Sequence, residues 1–218
     1  ITYAPQNPYR GQDRFRTLQR KSNPLKRSLF SYIIPQHQRT LEWLVSLPFV
    51  DSSRLAFYGL SYGGKTAVRV PPMLVPSDKR PGYCLSICSA DYNEWVKKNT
   101  SDEDGYSYVF TGEYEIFEWN MGHFANYAEL SYLMTPRPFM GERGHDDGVA
   151  PDEWVAWEFS KGKRHYDKLG IGELATIHVA PGQCSVRLGG IRRMRSRIGD
   201  EPRGLGLVRR KEREQQLR

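Results

Sequence analysis

The first chemistry that the sequence suggests centres on Ser61, in the segment Gly59-Leu60-Ser61-Tyr62-Gly63. The spacing Gly-x-Ser-x-Gly is typical of a serine at the tip of a tight turn from a strand into a helix, where its hydroxyl is exposed as a nucleophile. Side chains two residues before and two residues after the serine would collide, which explains glycine at both places. The backbone N–H of Tyr62 would then help to stabilise a developing oxyanion.

The same residues also fit a second pattern. Gly59, Gly64, Lys65 and Thr66 match Gly-x-x-x-x-Gly-Lys-Thr, a loop that binds phosphate and also joins a strand to a helix. A nucleotide site of this kind further needs an apolar strand that ends in aspartate for magnesium, and residues 84–91 supply one only loosely. The local sequence leaves both interpretations open, and no other feature favours the second.

The elements that must position Ser61 alternate along the chain. An apolar run predicts a buried strand directly before Ser61, and a helix begins soon after it. Pro35 suits the start of an earlier helix. The predicted strands cover residues 54–58, 83–88, 138–140 and 176–179, the predicted helices cover 35–47, 64–70 and 151–169, and an aromatic-rich insertion covers 91–128. This alternation predicts an α/β fold with a mostly parallel, doubly wound sheet.

The charge is distributed unevenly. The chain has 218 residues and a net charge of +7. Residues 181–218 hold eleven Lys or Arg and four Asp or Glu, so the other 180 residues are balanced. The same segment has no Phe, Trp or Tyr, and its composition is typical of a solvated or disordered extension. We therefore predict one catalytic domain over residues 1–180 and a basic tail over residues 181–218.

Two longer segments resemble the α/β-hydrolase superfamily. Residues 47–61 (LPFVDSSRLAFYGLS) resemble the branch that contains dienelactone hydrolases, acetyl-xylan-type esterases and prolyl-oligopeptidase-like peptidases. Residues 144–151 (GHDDGVAP) resemble the turn that presents the acid of the catalytic triad. The resemblance implies an α/β-hydrolase fold in which Asp147 is the acid, with Asp146 as the fallback.

The resemblance also implies a second oxyanion donor after the third strand of the fold. If residues 1–4 form the end of that strand, the donor falls in the loop Pro5-Gln6-Asn7, and Gln6 is the candidate because proline has no N–H. The first two strands of the fold would then be missing from this sequence, which leaves a sheet edge that needs cover.

The histidine of the triad is the main departure from the resemblance. Relatives carry it in a Gly-Pro-His-like turn after the last strand, whereas this chain reads Ala180-Pro181-Gly182-Gln183 and has no histidine after His178. His178 is the remaining candidate, provided that its strand ends early. His145, beside the Asp pair, is a candidate base but is expected instead to shape the turn, while His37 and His165 are expected in solvent.

These observations predict a serine hydrolase of carboxylic esters that needs no metal and no organic cofactor. Loss of the histidine turn predicts weak or no turnover, and a non-catalytic remnant that only binds remains an alternative. The expected partner is a small-molecule ester. The tail lacks the interleaved aromatic side chains of specific nucleic-acid recognition. No segment is apolar enough to span a membrane, so we expect a soluble protein, cytoplasmic or secreted.

Overall fold

The computed structural model describes residues 1–6, 8, 14–102, 105–110 and 116–182. Its strands are β1 (Ala56–Leu60), β2 (Leu85–Ser89), β3 (Phe139–Gly144) and β4 (Ala175–Ala180). Its helices are α1 (Arg14–Ser22), α2 (Phe30–Val45), α3 (Tyr62–Ala67), α4 (Val70–Met73), α5 (Trp95–Thr100), α6 (Tyr127–Tyr132) and α7 (Asp152–Lys168). In this part of the chain no helix is long and apolar enough to cross a membrane. The predicted tail lies outside these residues from 183 onward, so its boundary stays a prediction.

The four strands form one parallel sheet in the order β1-β2-β3-β4. This confirms the α/β fold, because parallel neighbours require a crossover between each pair of strands. The register places Leu60, Ser89, Glu142 and His178 in one row across the sheet. All four strands therefore present their carboxyl ends at the same edge, and β1 is the outermost strand on its side of the described sheet.

Two apolar clusters attach the helices to one face of the sheet. The larger cluster joins α3, α6 and α7 to Cys88, Phe139 and Ala175. The smaller cluster joins α1, α2 and α4 to Phe57, which also contacts the larger one. On the opposite face, Leu85, Ile87 and Met140 pack with Tyr58 and Cys84. The central strands β2 and β3 are buried along their whole length, including the polar side chains of Ser86, Ser89, Glu142 and Arg143.

Two local predictions are wrong. Pro35 lies inside α2, which begins at Phe30. Phe30, Ile33 and Leu41 are buried, and packing of this face extends the helix in front of the proline despite the lost hydrogen bond. Residues 1–4 form no strand and are exposed, with Tyr3 lying against Trp43 of α2 at 5.3 Å between ring centroids.

Candidate active site

Ser61 occupies a strained turn between β1 and α3. Its φ of 56° and ψ of −118° lie outside the regions that ordinary residues favour, and its side chain is exposed. The Ser61 N–H donates to the carbonyl of Ser89 at 2.9 Å, and its own carbonyl accepts from the N–H of Lys65 at 2.9 Å. The serine is thus fixed to the carboxyl end of β2 and to the first turn of α3.

The glycines of this turn have different functions. A Cβ at Gly59 would lie 1.9 Å from the carbonyl oxygen of Gly63, and a Cβ at Gly64 would lie 2.4 Å from the carbonyl oxygen of Ser89. A Cβ at Gly63 would contact nothing within 4 Å. Gly59 and Gly64 must therefore be glycine for steric reasons. The prediction that a side chain at position 63 would collide is wrong.

Tyr62 is the first residue of α3, so its backbone N–H lies at the start of that helix. Its ring stacks on Phe30 of α2, with centroids 6.0 Å apart and an interplanar angle of 13°. The ring thereby anchors the turn in the apolar cluster under α2. The backbone at position 62 stays beside the serine, as an oxyanion donor must.

A buried ionic cluster lies behind the turn. Glu118 contacts the Nζ of Lys65 at 3.2 Å and the Nε of Arg69 at 2.8 Å, and all three side chains are less than a tenth exposed. Burial lowers the pKa of Lys65, and Glu118 opposes that shift. Nearby, burial raises the pKa of Asp91 to about 6, although Arg69 and a hydrogen bond of 2.6 Å from the Tyr127 hydroxyl oppose it.

This cluster contradicts the phosphate-loop interpretation. In such a loop the lysine must reach the phosphates and the hydroxyl of the threonine must bind magnesium. Lys65 instead pairs with Glu118 in the interior, and the hydroxyl of Thr66 donates to the carbonyl of Tyr62 at 2.9 Å. Both groups are 3% exposed or less.

The turn after β3 carries the candidate acids. Asp147 is half-buried, and its Oδ1 accepts from the N–H of Val149 at 3.0 Å. Asp146 is exposed, and its N–H donates to the carbonyl of Gly182 at 3.1 Å. The N–H of His145 donates to the carbonyl of Ala180 at 3.0 Å. The turn is therefore bonded to the end of β4, at the same edge of the sheet as Ser61.

A histidine–carboxylate pair, which the sequence analysis did not identify, lies beside this turn. The Nδ1 of His145 contacts Oδ2 of Asp152 at 2.6 Å, and Arg143 contacts the other oxygen of that carboxylate at 2.9 Å. Arg143 is buried and also donates to the carbonyls of Ala150 and Pro151. The spacing of seven residues across a loop gives no periodic signal, so only the fold reveals the pair.

The structure does not bring His178 to Ser61. His178 lies within β4, in the same row as Leu60 but three interstrand spacings away, or about 14 Å. Its neighbour in the row is Glu142, whose pKa is raised by burial. A general base must lie within hydrogen-bond reach of the serine or one water away, and this separation exceeds both.

Gln6 lies in an exposed segment without secondary structure. No strand precedes it within residues 1–6, so the premise of its assignment as the second oxyanion donor is not met. In the described ranges there is also no group of three or more His, Cys, Asp or Glu side chains that could hold a metal ion.

Similar solved structures are carbohydrate esterases. A family 15 glucuronoyl esterase from Caldicellulosiruptor kristjansonii superposes with a TM-score of 0.58 at 15% identity, over 77% of this chain and 48% of that one. A promiscuous esterase of the same family from a marine bacterial metagenome gives 0.56 at 15% identity, over 76% and 47%. A glucuronoyl esterase from Teredinibacter turnerae gives 0.52 at 16% identity, over 72% and 43%.

The chain spans about half the length of these structures. No protein-family model matches it, and no curated protein sequence matches it. The similarity at this level of identity concerns the fold, which is that of the α/β hydrolases.

Proposed function

We propose that this chain hydrolyses carboxylic esters with Ser61 as the nucleophile. The observation that carries the proposal is the backbone of Ser61, which adopts a strained conformation at the junction of β1 and α3 while its side chain is exposed. Strain at a polar residue on a sheet edge is characteristic of functional sites, because packing offers no reason to retain it. The fold shared with carbohydrate esterases supports the reaction class, and a sugar ester is one candidate substrate.

In the first step the Ser61 oxygen forms a bond to the ester carbonyl carbon and gives its proton to a base. The carbonyl oxygen becomes an oxyanion, for which the N–H of Tyr62 is the proposed donor. Collapse of this intermediate breaks the ester bond, and the alcohol leaves with the proton that the base returns. Water then repeats the sequence on the acyl-serine and releases the acid. Asp147 is the proposed carboxylate of the site, as the resemblance implies.

A fluorophosphonate probe tests this proposal, because it labels activated serines covalently. We expect one label, located at Ser61 by peptide mass mapping and lost in Ser61→Ala. Ser160→Ala is the matched control, since Ser160 is exposed on α7 and its hydroxyl donates to the carbonyl of Trp157. A folded protein that takes no label, or takes it at another serine, would contradict the proposal.

The separation of His178 from Ser61 favours a second candidate function, a hydrolase-like domain that binds esters without cleaving them. The same labelling experiment, combined with a binding measurement, distinguishes the two functions. A binding domain retains affinity for an ester, measured by calorimetry, but gives neither labelling nor product. An enzyme gives both, and both disappear in Ser61→Ala.

A further inference from the structure

All five histidines of the chain lie within the described residues, so each imidazole can be examined as a base for Ser61. His37 lies on the buried face of α2, with its Nδ1 2.7 Å from the hydroxyl of Tyr83. His165 stacks on Tyr132 at 4.3 Å near the end of α7 that lies farthest from the turn after β3. His178 is about 14 Å from Ser61, as the sheet register shows. His123 is exposed in the insertion and has no carboxylate partner among the described residues.

His145 differs from these four in three respects. It follows β3 directly, at the edge of the sheet where Ser61 also lies. Its Nδ1 is bonded to the Asp152 carboxylate, and Arg143 fixes that carboxylate from the other side. Its side chain is 56% exposed, and its Nε2 makes no hydrogen bond with the described part of the chain. A carboxylate on Nδ1 that leaves Nε2 available is the arrangement a general base requires.

We infer that His145, oriented by Asp152, is the general base that serves Ser61. This inference rests on the proposed function and deepens it by naming the proton acceptor. The Ser61 proton passes to Nε2 of His145 while the bond between the serine oxygen and the carbonyl carbon forms. The imidazolium then returns that proton to the departing alcohol. Asp152, rather than the Asp147 named under the proposed function, then acts as the positioning carboxylate, because it is the one that contacts the imidazole.

The sheet register sets the distance that the proton must cross. Ser61 lies one residue beyond Leu60, and His145 lies three residues beyond Glu142 in the same row. Two interstrand spacings and two residues of strand rise separate the α-carbons by about 12 Å. A serine and a histidine side chain directed towards each other would cover more than half of that distance and leave room for one water molecule, so the inference requires this orientation of Ser61 and His145. Transfer through one water is within the reach of a general base.

The charged groups around His145 come from three elements. Asp146 and Asp147 lie on its own turn, Asp152 on the first turn of α7, and Arg143 on β3. Of these groups, the Asp152 carboxylate contacts the imidazole, whereas Oδ1 of Asp147 accepts from the N–H of Val149. Arg143 contacts the same carboxylate as His145 and so ties the pair to the buried end of β3.

An imidazole scan tests the inference. Hydrolysis of p-nitrophenyl acetate is measured against pH for the wild-type chain and for His145→Gln, with His123→Gln and His165→Gln as controls. We expect His145→Gln to lower kcat/KM by about 100-fold or more and to abolish the acid limb of its pH profile, while both controls retain that limb. Asp152→Asn should lower kcat with little change in KM, and Asp147→Asn should have the smaller effect.

Chemical rescue separates a base from a structural residue. Added imidazole should restore part of the activity of His145→Ala and none of the activity of Ser61→Ala. Fluorophosphonate labelling is measured in parallel. If the probe does not label Ser61, the proposed function itself is rejected. Labelling without turnover in the wild-type chain, an unchanged pH profile in His145→Gln, or loss of the acid limb in His178→Gln would each overturn the inference and leave the nucleophile in place.

Discussion

His37 and His145 each use Nδ1 for one short hydrogen bond, yet their surroundings give them opposite properties. His37 is 6% exposed among Phe57 and Tyr83, and burial lowers its pKa to about 4. His145 is mostly exposed, and its partner is a carboxylate. The first is a polar group enclosed in the core, and the second is an exposed imidazole beside a carboxylate. The comparison separates a polar pair that the core encloses from one that solvent can reach.

The largest expected effect on stability concerns Glu118, a buried carboxylate that contrasts with the exposed Asp152. Glu118→Gln should lower the free energy of unfolding by about 3–5 kcal/mol, because it removes the main counter-charge of buried Lys65 and Arg69. Urea denaturation followed by tryptophan fluorescence measures the loss. A loss below 1 kcal/mol would show that water reaches this cluster.

Acid should act on the buried histidine in a defined window. The folded-state pKa of His37 lies below the usual value of 6.5, so its contribution to stability is complete above pH 6.5 and is lost as the pH falls towards 4. A shift from 6.5 to about 4 corresponds to about 3 kcal/mol at most. Denaturation at pH 7 and pH 4 should therefore show a smaller pH-dependent loss in His37→Gln than in the wild-type chain. If His37→Gln and the wild-type chain lose equal stability, another group must cause the acid sensitivity.

Removal of the partner of His37 should have a smaller effect. Tyr83→Phe deletes the hydroxyl at 2.7 Å from the buried Nδ1 and should cost about 1–3 kcal/mol, because the nitrogen loses its hydrogen bond without gaining water. Tyr3→Phe is the control, since that ring is 48% exposed. If both variants unfold at the same urea concentration, the hydrogen bond adds nothing to stability.

The smallest expected effect on stability falls on the exposed pair. Asp152→Asn should lower the free energy of unfolding by about 1 kcal/mol, because Asp152 is 46% exposed and the buried Arg143 that loses this carboxylate keeps its hydrogen bonds to the carbonyls of Ala150 and Pro151. A loss as large as that of Glu118→Gln would mean that this pair supports the fold, and its catalytic assignment would weaken accordingly.

The sequence predicts those features that depend on local pattern. The four strands lie within a few residues of their predicted positions, since each is a short apolar run between loops, and the turn at Ser61 follows from glycine spacing. Pairings between distant residues were missed. Lys65 and Glu118 are 53 residues apart, and nothing at position 65 indicates a buried partner.

The environments of His37 and Gly64 also depend on distant residues and could not be predicted from local sequence. The residues around His37 look polar, yet the histidine enters the core because Tyr83, 46 residues later, supplies its hydrogen bond. The sequence places Gly64 at the start of a helix or in a phosphate loop, whereas the structure requires glycine there because the backbone of Ser89 passes beside it. In both cases the deciding contact crosses from one strand–helix unit to the next, and no local window contains it.

The outermost position of β1 has a consequence for the motions of the nucleophile. Backbone N–H groups alternate in direction along a strand, and that of Ser61 points to β2. The N–H group of Leu60 therefore points away from the described sheet, and its amide proton should exchange with deuterium faster than those of Gly59 and Ser61. Because the serine ends the outermost strand of the described sheet, local fraying of β1 would displace it from the site.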